Sequence, residues 1–496
     1  MDNVGLLSFS SCYHPGAPAR AQSMSYPRLR ASRRPCRLAH RPACTSHPQA
    51  TRPQGGHSVY KHLVVVGGGF AGTRTTRALE HTLPSDWTVT LISQDNFITF
   101  NPLLPEVVGA SIMPGHVTAP YRQMIQCGNV FMAQVTEIDT VNRVVHYIGE
   151  GTGNIHYDQL VLACGTNANL DIVKGMGEHA LPLKTLGDAL FLRNRIISRL
   201  EQAELQPDAQ QRRWLMTFVV VGGGFSGVET AGELTDFLYA SLRYYKRIRR
   251  EDIHLVLLQD SDRLLRELSP SLGAFTCRKM RARNVDVRLN TRAVRVTGRG
   301  VHLDAGEVIE AGTVICTIGT RPNGLLDNIP AEKNGGRLVV NPDLSVPGVE
   351  GMWAAGDCAS VFNLFDRKNC PPTAQFADAQ AQQLAANIIA RLKGQPTQPF
   401  RHRPRGQLSS VGHNKAVAEV FGLKLSGFVA WLMWRGLYLL RFPTFARKSR
   451  LFLEWNWAMF FPPDISHLGY RRSQDRSAHS SSAPIATQSV PAGERT

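Results

Sequence analysis

Two glycine-rich turns, 155 positions apart (67 to 222), carry the most specific chemistry in this sequence. In each, a buried-strand pattern runs directly into a helical pattern. The first glycine of such a turn permits the tight bend, the second lets the backbone approach a pyrophosphate, and the third lets the helix pack on the strand. The phosphates then meet the unpaired N–H groups at the positive end of the helix. The two sets are Gly67, Gly69 and Gly72, with Phe70 and Ala71 between them, and Gly222, Gly224 and Gly227.

Two such turns in matching context predict two dinucleotides bound by one chain. One turn alone would be weak evidence, because any tight strand-to-helix connection can contain the same glycines. A chain that holds two dinucleotides most often passes electrons from one to the other. The sequence therefore favours an electron-transferring enzyme.

The residue that usually binds the ribose is changed in both units. Dinucleotide-binding folds commonly end their second strand with an acid that accepts a hydrogen bond from the 2′-hydroxyl. The first unit has Ser93 there, which can still hydrogen-bond a ribose, and the second has Gln259. A carboxylate would repel the 2′-phosphate of NADPH and a glutamine would not, so we expect NADPH to be tolerated beside NADH. Arg263, four residues further on, either faces that phosphate or is a surface arginine.

The elements that must position these turns alternate between strands and helices, which indicates parallel sheets covered on both faces. The segment at Gly356 and Asp357 follows a late strand and is expected to return and close the first dinucleotide site. We therefore predict an α/β fold with two Rossmann-like dinucleotide-binding domains, the second inserted in the first, plus a C-terminal amphipathic helical region. Strands are predicted at 61–66, 87–92, 129–139, 143–147, 159–163, 218–221, 253–258, 285–289, 294–296, 301–304 and 313–318, and helices at 71–79, 186–205, 226–245, 264–283 and 374–393.

The predicted domain organisation has six parts. They are a disordered leader or transit peptide (1–58), the first part of the first dinucleotide-binding domain (59–185), the second dinucleotide-binding domain (186–314), the second part of the first domain (315–424), membrane-anchoring helices (425–470) and a disordered tail (471–496).

Charge and cysteine content narrow the class of protein. The net charge is +17, with eight arginines and one acid before Val59 and a second basic group near the C-terminus. Such a surface suits nucleic acid or anionic lipid headgroups, and no nucleic-acid motif is present. The nine cysteines have no C-x-x-C or zinc-type spacing. This argues against a disulfide framework and a metal site, and for a reducing compartment.

Two C-terminal segments, 427–440 and 447–461, are apolar, rich in tryptophan and accompanied by basic residues. No stretch of 18 or more apolar residues occurs, so no membrane-spanning helix is predicted. Short amphipathic helices with tryptophan and basic residues are typical of anchors that lie in the membrane interface. A pair of ordinary core or dimer helices is the alternative.

Over about residues 60–470 the chain resembles the type II NADH dehydrogenases, which are single-chain, non-proton-pumping NAD(P)H:quinone oxidoreductases containing FAD. The motifs that carry the resemblance are the glycine turns, the PLLPEV loop, the G-x-E-T-A-G-E-L helix, the T-x-G-x-x-P turn, the A-A-G-D-C-A segment and the P-P-T-A-Q-x-A helix. Each of these motifs on its own also occurs in many other flavoproteins that bind two dinucleotides. The A-Q-x-A helix followed by an amphipathic C-terminus narrows the resemblance to this family.

The resemblance implies FAD in the first unit, NADH or NADPH in the second, and a quinone as electron acceptor. Asp357 would hold the ribityl or phosphate end of the flavin beside Gly356. Glu229 would face the nicotinamide and the flavin, with Glu233 one turn further along the same helix. Pro102 and Leu103, in the PLLPEV loop, would line the flavin ring, and Gly165 and Gly319 also belong to the implied cofactor-binding residues.

The helix implied to bind the quinone departs from the family pattern A-Q-x-A-x-Q-[QE]. Ala374, Gln375 and Gln380 remain, but the first of the paired polar residues is replaced by Ala379. Quinone binding near this helix is still expected, with Gln375 and Gln380 as its polar residues and without a headgroup contact at Ala379.

Two other functions stay open at this point. A sulfide:quinone oxidoreductase would need cysteines paired across the flavin, for which Cys127, Cys164 and Cys358 are candidates. A redox sensor would bind FAD without turning over a quinone. We expect a peripheral protein on the cytoplasmic face of a bacterial inner membrane, or on a mitochondrial or chloroplast membrane if residues 1–58 are a transit peptide, with a homodimer through the C-terminal region as a further expectation.

Overall fold

The computed structural model describes residues 60–412 and 414–469, and the fold is α/β. The predicted leader and tail lie outside these residues. Helices α1 to α10 are Phe70–Leu79, Leu104–Val108, Met176–His179, Leu186–Leu205, Ala209–Leu215, Phe225–Ser241, Pro270–Arg281, Ala374–Leu392, Phe428–Arg441 and Phe445–Phe460.

The first large sheet has five strands, all parallel. The chain leaves it after Leu162 and returns only with its last strand at the edge, so nearly 190 intervening residues separate two hydrogen-bonded neighbours (162 to 352). In spatial order the strands are Met352–Ala354, Gln159–Leu162, Lys61–Val66, Trp87–Ser93 and Asn129–Met132.

The second large sheet is also five-stranded and parallel. Its edge strand is Ala180–Pro182, which pairs with Thr313–Cys316. The second sheet therefore begins before residue 186, where the second domain was predicted to start. In spatial order the strands are Ala180–Pro182, Thr313–Cys316, Thr217–Val221, His254–Leu258 and Val285–Arg288.

Three antiparallel layers of three strands accompany the large sheets. Shorter pairings are Phe97–Thr99 with Thr118–Pro120, Thr166–Ala168 with Thr320–Pro322, and Phe362–Asn363 with Lys368–Asn369. In a further small sheet, Arg337–Val339 pairs with Lys333–Asn334 on one side and with Ala359–Ser360 on the other. The layers consist of Gln134–Asp139, Val144–Ile148 and Thr152–His156; of Ala293–Thr297, Gly300–Leu303 and Val308–Glu310; and of Gly406–Ser410, Ala416–Val420 and Leu423–Gly427.

Three predicted elements differ from the structure by more than two residues. The strand predicted at 129–139 is two strands, because Asn129–Met132 pairs parallel with the first sheet and only the remainder joins an antiparallel layer. The helix predicted from residue 264 begins at Pro270, since Leu265 has a φ of 51° and proline suits the first helical turn. The helix predicted to residue 245 ends at Ser241 and continues as a 3-10 turn.

The C-terminal helices α9 and α10 contribute their inner faces to the core that covers the second sheet. Trp434 and Trp455 are almost fully buried there, with ring centroids 6.0 Å apart. Ala430 and Leu451 are fully buried in the same core, whereas the opposite faces of both helices expose large apolar side chains.

Candidate functional site

The first glycine turn has the geometry that a pyrophosphate requires. Gly67 has a φ of 106°, and a Cβ on Gly72 would lie 1.8 Å from the carbonyl oxygen of Gly67, so both positions demand glycine. A Cβ on Gly69 would meet nothing within 4 Å. No described side chain caps the N-terminus of α1, so its first N–H groups face open space. The turn therefore fits the FAD pyrophosphate.

Tyr121 holds this turn in place and has no counterpart in the sequence analysis. Its hydroxyl donates to the carbonyl of Gly68 at 2.7 Å and lies 3.3 Å from the hydroxyl of Ser93. Burial raises the pKa of Tyr121 above its ordinary value, which keeps the hydroxyl protonated. Ser93 thus lies beside the turn, where a Cβ on Gly68 would be 2.5 Å from its hydroxyl. No local sequence pattern marks a residue that acts at such a separation.

The segment containing Gly356 and Asp357 lies against the N-terminus of α1. A Cβ on Gly356 would be 3.1 Å from the Cβ of Ala71. The Asp357 carboxylate makes no hydrogen bond or ion pair with another described residue, and burial raises its pKa while Lys184 and Arg337 oppose that effect. A half-buried, unpaired carboxylate beside the first turn is suited to accept hydrogen bonds from ligand hydroxyls.

Lys184 is a second residue that sequence reasoning missed. Its ammonium group donates to the hydroxyl of Thr166 at 3.0 Å and acts electrostatically on Asp357. Thr166 comes directly after Gly165, a few residues beyond the carboxyl end of the strand Gln159–Leu162. Because Lys184 binds Thr166, it brings a positive charge to this end of the strand. The sequence gives no motif for this role of Lys184, which is placed only two residues before the predicted helix at 186–205.

Gln380 is a positioning residue rather than a free polar group. Its amide oxygen accepts from the backbone N–H of Gly356 at 2.7 Å, and its side chain is 2% exposed. The expectation that Gln380 contacts a quinone therefore does not fit its surroundings. Gln375 and Ala374, at the N-terminus of α8, are half-buried, and Gln375 makes no hydrogen bond with another described residue.

The loop that contains Pro102 and Leu103 is anchored by aromatic contacts. Phe100 lies 5.5 Å from Phe70 and 5.1 Å from Phe442, measured between ring centroids. Leu103 is fully buried in the core, while Pro102 is half-buried. Of the two predicted flavin contacts, Pro102 is the one with surface available to a ligand.

The second glycine turn repeats the geometry of the first. Gly222 has a φ of 114°, and a Cβ on Gly227 would lie 1.7 Å from the carbonyl oxygen of Gly222. A Cβ on Gly224 would meet nothing within 4 Å. Thr317, which no sequence motif marks, donates through its hydroxyl toward the carbonyls of Val221 and Gly222, at 2.9 and 3.2 Å.

Gln259 is turned toward the second glycine turn. Its amide oxygen accepts from the N–H of Gly223 at 2.7 Å, and its amide nitrogen donates to Asp260 and Ser261 at 2.9 and 2.5 Å. The Asp260 carboxylate is exposed beside it. An acid is thus present one residue beyond the end-of-strand position that Gln259 occupies.

The carboxyl ends of the two sheets meet through a short antiparallel ladder. Thr166–Ala168 pairs with Thr320–Pro322, and Asn169 donates to the carbonyl of Gly319 at 3.2 Å. Gly165 and Gly319, with φ values of 66° and 71°, make the turns that lead into this ladder. The two open turns therefore lie at sheet edges that are joined to each other.

Glu229 is buried on the helix that follows the second turn. One carboxylate oxygen accepts from the backbone N–H of Ser410 at 3.0 Å. Burial raises the pKa of Glu229 to about 8, although the Ser410 N–H and the Trp434 indole act against the shift. The group can therefore hold or release a proton near neutral pH.

Cys127, Cys164 and Cys358 do not form one group. Cys358 donates to the carbonyls of Leu162 and Ala355, both at 3.3 Å, and its contact with the Cys164 thiol lowers its pKa. Cys127 lies instead at the end of α1, where its backbone N–H donates to Glu80 at 2.9 Å. The three candidates for sulfide chemistry are therefore not assembled at one site.

Among the described helices, none is both long and apolar enough to cross a membrane. The outer face of α10 nevertheless exposes Leu453, Trp457 and Phe460 to 67%, 63% and 79%, and these residues share one helical face. The outer face of α9 similarly exposes Phe428 and Leu432.

Residues 61–381 match the family described as pyridine nucleotide-disulphide oxidoreductase. The type II NADH:quinone oxidoreductase Ndh of Mycobacterium tuberculosis is 29% identical, over 83% of this chain and 89% of that protein. The demethylphylloquinone reductase NdbB of Synechocystis sp. is 32% identical, over 79% of this chain and 95% of that protein. The structure of NDH2 from Plasmodium falciparum in complex with NADH has the same fold, with a TM-score of 0.76 at 20% identity, over 82% of this chain and 99% of that one.

Two joined parallel sheets, each with an open glycine turn, define the class of oxidoreductases that bind two dinucleotides. The chain belongs to the pyridine nucleotide-disulphide oxidoreductase family and, within it, to the type II NADH:quinone oxidoreductases.

Proposed function

We propose that this protein transfers a hydride from NADH to FAD and passes the electrons on to a membrane quinone. The observation that carries the proposal is the pair of open glycine turns at joined sheet edges, each able to admit a pyrophosphate. Bound FAD would supply the acceptor for the hydride, and the chain would bind and align the two rings and exclude water. We assign no protein nucleophile.

The first sheet with α1 would be the FAD domain and the second sheet with α6 the NADH domain, inserted in the first. The return of the chain to the first sheet at Met352 supports the insertion. Gly67, Gly69 and Gly72 would hold the FAD pyrophosphate. Asp357, with Lys184 beside it, would hold the polyol part of FAD, because the carboxylate is unpaired and adjacent to the turn.

The second turn would bind NADH in preference to NADPH. Gln259 is engaged with Gly223, and the exposed Asp260 follows it, so a 2′-phosphate would approach a carboxylate. This modifies the expectation of tolerance toward NADPH that was based on Gln259 alone.

We therefore expect Asp260→Asn to raise kcat/KM for NADPH relative to NADH about fivefold. Two like charges ~4 Å apart in water repel by about 1 kcal/mol, and the substitution removes that repulsion. Steady-state kinetics with both nucleotides measures the ratio. Glu310→Gln, which removes an exposed acid elsewhere in the second unit, should leave the ratio unchanged. An unchanged ratio in D260N would contradict the assignment of Asp260.

The quinone would bind near the N-terminus of α8, at Ala374 and Gln375. Gln375 is the polar side chain available there, because Gln380 is hydrogen-bonded to Gly356. The exposed apolar faces of α9 and α10, with Arg441 and Arg450 beside them, would lie in the membrane interface and give a hydrophobic quinone access from the bilayer. The protein would then be peripheral to its membrane, and a homodimer remains a prediction.

Steady-state oxidation of NADH with a short-chain ubiquinone and a naphthoquinone tests the function. We expect NADH-dependent turnover with at least one quinone. Sulfide-dependent quinone reduction without a response to NADH would favour the sulfide:quinone alternative. The relatives do not support that alternative, and Cys127 lies apart from Cys164 and Cys358. Tight FAD binding without turnover on any quinone would favour a sensor.

A further inference from the structure

An exposed apolar hairpin comes just before α8 in the chain. Its strands are Phe362–Asn363 and Lys368–Asn369, and the side chains of Phe362, Leu364 and Phe365 are 47%, 42% and 43% exposed. Single apolar side chains on a protein surface are ordinary, whereas several grouped at one hairpin form a patch that marks an interaction site. The tip of this hairpin is therefore a candidate contact surface.

The backbone of the hairpin is tied to the segment 400–405. Asn363 is fully buried, and its amide nitrogen donates to the carbonyl of His402 at 2.9 Å. Its amide oxygen accepts from the N–H of His402, also at 2.9 Å, and the N–H of Leu364 donates to the carbonyl of Phe400 at 3.3 Å. The hairpin is thus held in one position while the apolar side chains at its tip stay exposed.

Five cations accompany the apolar tip. All of them are exposed, and none uses its charged group in a hydrogen bond or an ion pair with another described residue. Asp366 is the one acid in the segments 362–369 and 400–405, so the patch is strongly positive. The five cations are Arg367, Lys368, Arg401, Arg403 and Arg405.

The patch adjoins the first turn of α8 and the end of α9. His402 packs against Phe376 of α8, with ring centroids 5.4 Å apart. Burial lowers the pKa of His402, and the positive charges of Arg405 and Arg441 lower it further. Asp378 of α8 opposes this effect, and it lines a cavity of about 110 Å³ together with Arg441. Since Arg441 is the last residue of α9, the patch continues the surface formed by the C-terminal helices.

An apolar tip with free cations beside it is complementary to an anionic bilayer. Apolar side chains enter the boundary between headgroups and acyl chains, while lysine and arginine remain among the anionic headgroups. Nucleic acid would attract the cations but would offer no apolar surface to the tip. The exposed apolar faces of α9 and α10 are adjacent, so one bilayer can meet both surfaces.

We propose that residues 362–369 and 401–405 form a second contact with an anionic bilayer, made by the FAD domain and separate from α9 and α10. Because α8 begins at Ala374, shortly after the hairpin, this contact holds the N-terminus of α8 close to the bilayer. Gln375 lies at that N-terminus, where a quinone arrives. The inference rests on the proposed function for the membrane association and adds a second surface to it.

Two multiple variants test the two halves of the patch. Leu364→Asp with Phe365→Asp alters the apolar tip, and Arg401→Gln with Arg403→Gln and Arg405→Gln removes three cations. Each should bind vesicles of phosphatidylglycerol and phosphatidylcholine at least about tenfold more weakly, since apolar burial and headgroup attraction both contribute. All five side chains are exposed, so the fold and the FAD content should be unchanged. Vesicle co-sedimentation measures the affinity.

Matched controls carry the same changes elsewhere on the surface. Val141→Asp with Ile148→Asp places two aspartates at exposed apolar positions of an antiparallel layer. Arg243→Gln with Lys246→Gln and Arg247→Gln removes three exposed cations from the segment that follows α6. Both controls should bind vesicles as the unaltered protein does. Equal weakening in the controls and the patch variants would overturn the inference, because total charge and not the patch would then govern binding.

Hydrogen–deuterium exchange tests the same contact without any substitution. Vesicles containing phosphatidylglycerol should slow exchange of the backbone N–H groups of residues 362–369 in the unaltered protein. Vesicles of phosphatidylcholine alone should slow it much less, because they do not attract the cations. Protection of α10 with none at residues 362–369 would overturn the inference.

The remaining outcomes separate the inference from the proposed function. Unchanged vesicle affinity in both patch variants would overturn the inference, whatever the turnover. A change of mass in L364D/F365D by light scattering, with vesicle binding intact, would identify the hairpin as a contact between copies of the chain and would also overturn it. KM for a long-chain ubiquinone in vesicles should rise at least about threefold in L364D/F365D, and KM for a short-chain quinone should not change. Absence of NADH:quinone turnover in the unaltered protein would overturn the proposed function instead.

Discussion

Gly224→Val is expected to give a folded protein that binds FAD and has lost NADH oxidation by at least about 100-fold. A side chain at Gly224 would meet nothing within 4 Å in the protein, so folding does not require glycine there. The second glycine of such a turn is needed because the pyrophosphate approaches the backbone at that point. Loss of that approach removes several kcal/mol of binding, which flavin absorbance and steady-state kinetics together would detect.

Gly69→Val should produce the complementary defect, a folded protein that does not retain FAD. A Cβ on Gly69 also has nothing within 4 Å. Gly151→Val, at an exposed turn with the same open surroundings, is the matched control and should bind both dinucleotides normally. If G224V kept full NADH activity, or if G69V kept its FAD, the assignment of the two turns would be wrong.

Replacing Leu453 and Phe460 together by aspartate is expected to weaken binding to anionic lipid vesicles by at least about 100-fold. Both side chains are mostly exposed on the outer face of α10, so the substitutions should leave the core intact. Burying one large apolar side chain contributes about 1.5–3 kcal/mol, and an aspartate adds repulsion from anionic headgroups. Vesicle co-sedimentation measures the affinity.

Activity with a water-soluble short-chain quinone should persist in this double variant, because the glycine turns and α8 are unchanged. Val141→Asp is the control, since Val141 is 89% exposed on a hairpin of the first unit and should not affect vesicle binding. Vesicle binding at the unaltered level in the Leu453/Phe460 variant would show that α9 and α10 are ordinary packed helices.

The elements with strong local signals were predictable from the sequence. The helix Leu186–Leu205 has the predicted bounds, because Thr185 and Asp188 form a capping box at its start and Pro207 follows its end. The two glycine turns were predictable for the same reason, since the local backbone requires glycine at the first and third positions of each turn.

Features that depend on tertiary contacts were not predictable. The strand Ala180–Pro182 is three residues long and pairs with a strand more than 130 positions away (180 to 314), so nothing local marks it. Tyr121 and Thr317 act on glycine turns 53 and 95 residues distant. The family resemblance implied that Gln380 contacts the quinone. Its hydrogen bond to Gly356, which buries the side chain, depends on the folded structure.

Anaerobic titration of the purified, FAD-loaded protein tests the central claim most directly. One equivalent of NADH should bleach the flavin absorbance, and one equivalent of a short-chain quinone should restore it. Flavin that is bleached by sulfide but not by NADH, or flavin bleached by NADH that no quinone restores, would contradict the assignment of this chain as an NADH:quinone oxidoreductase.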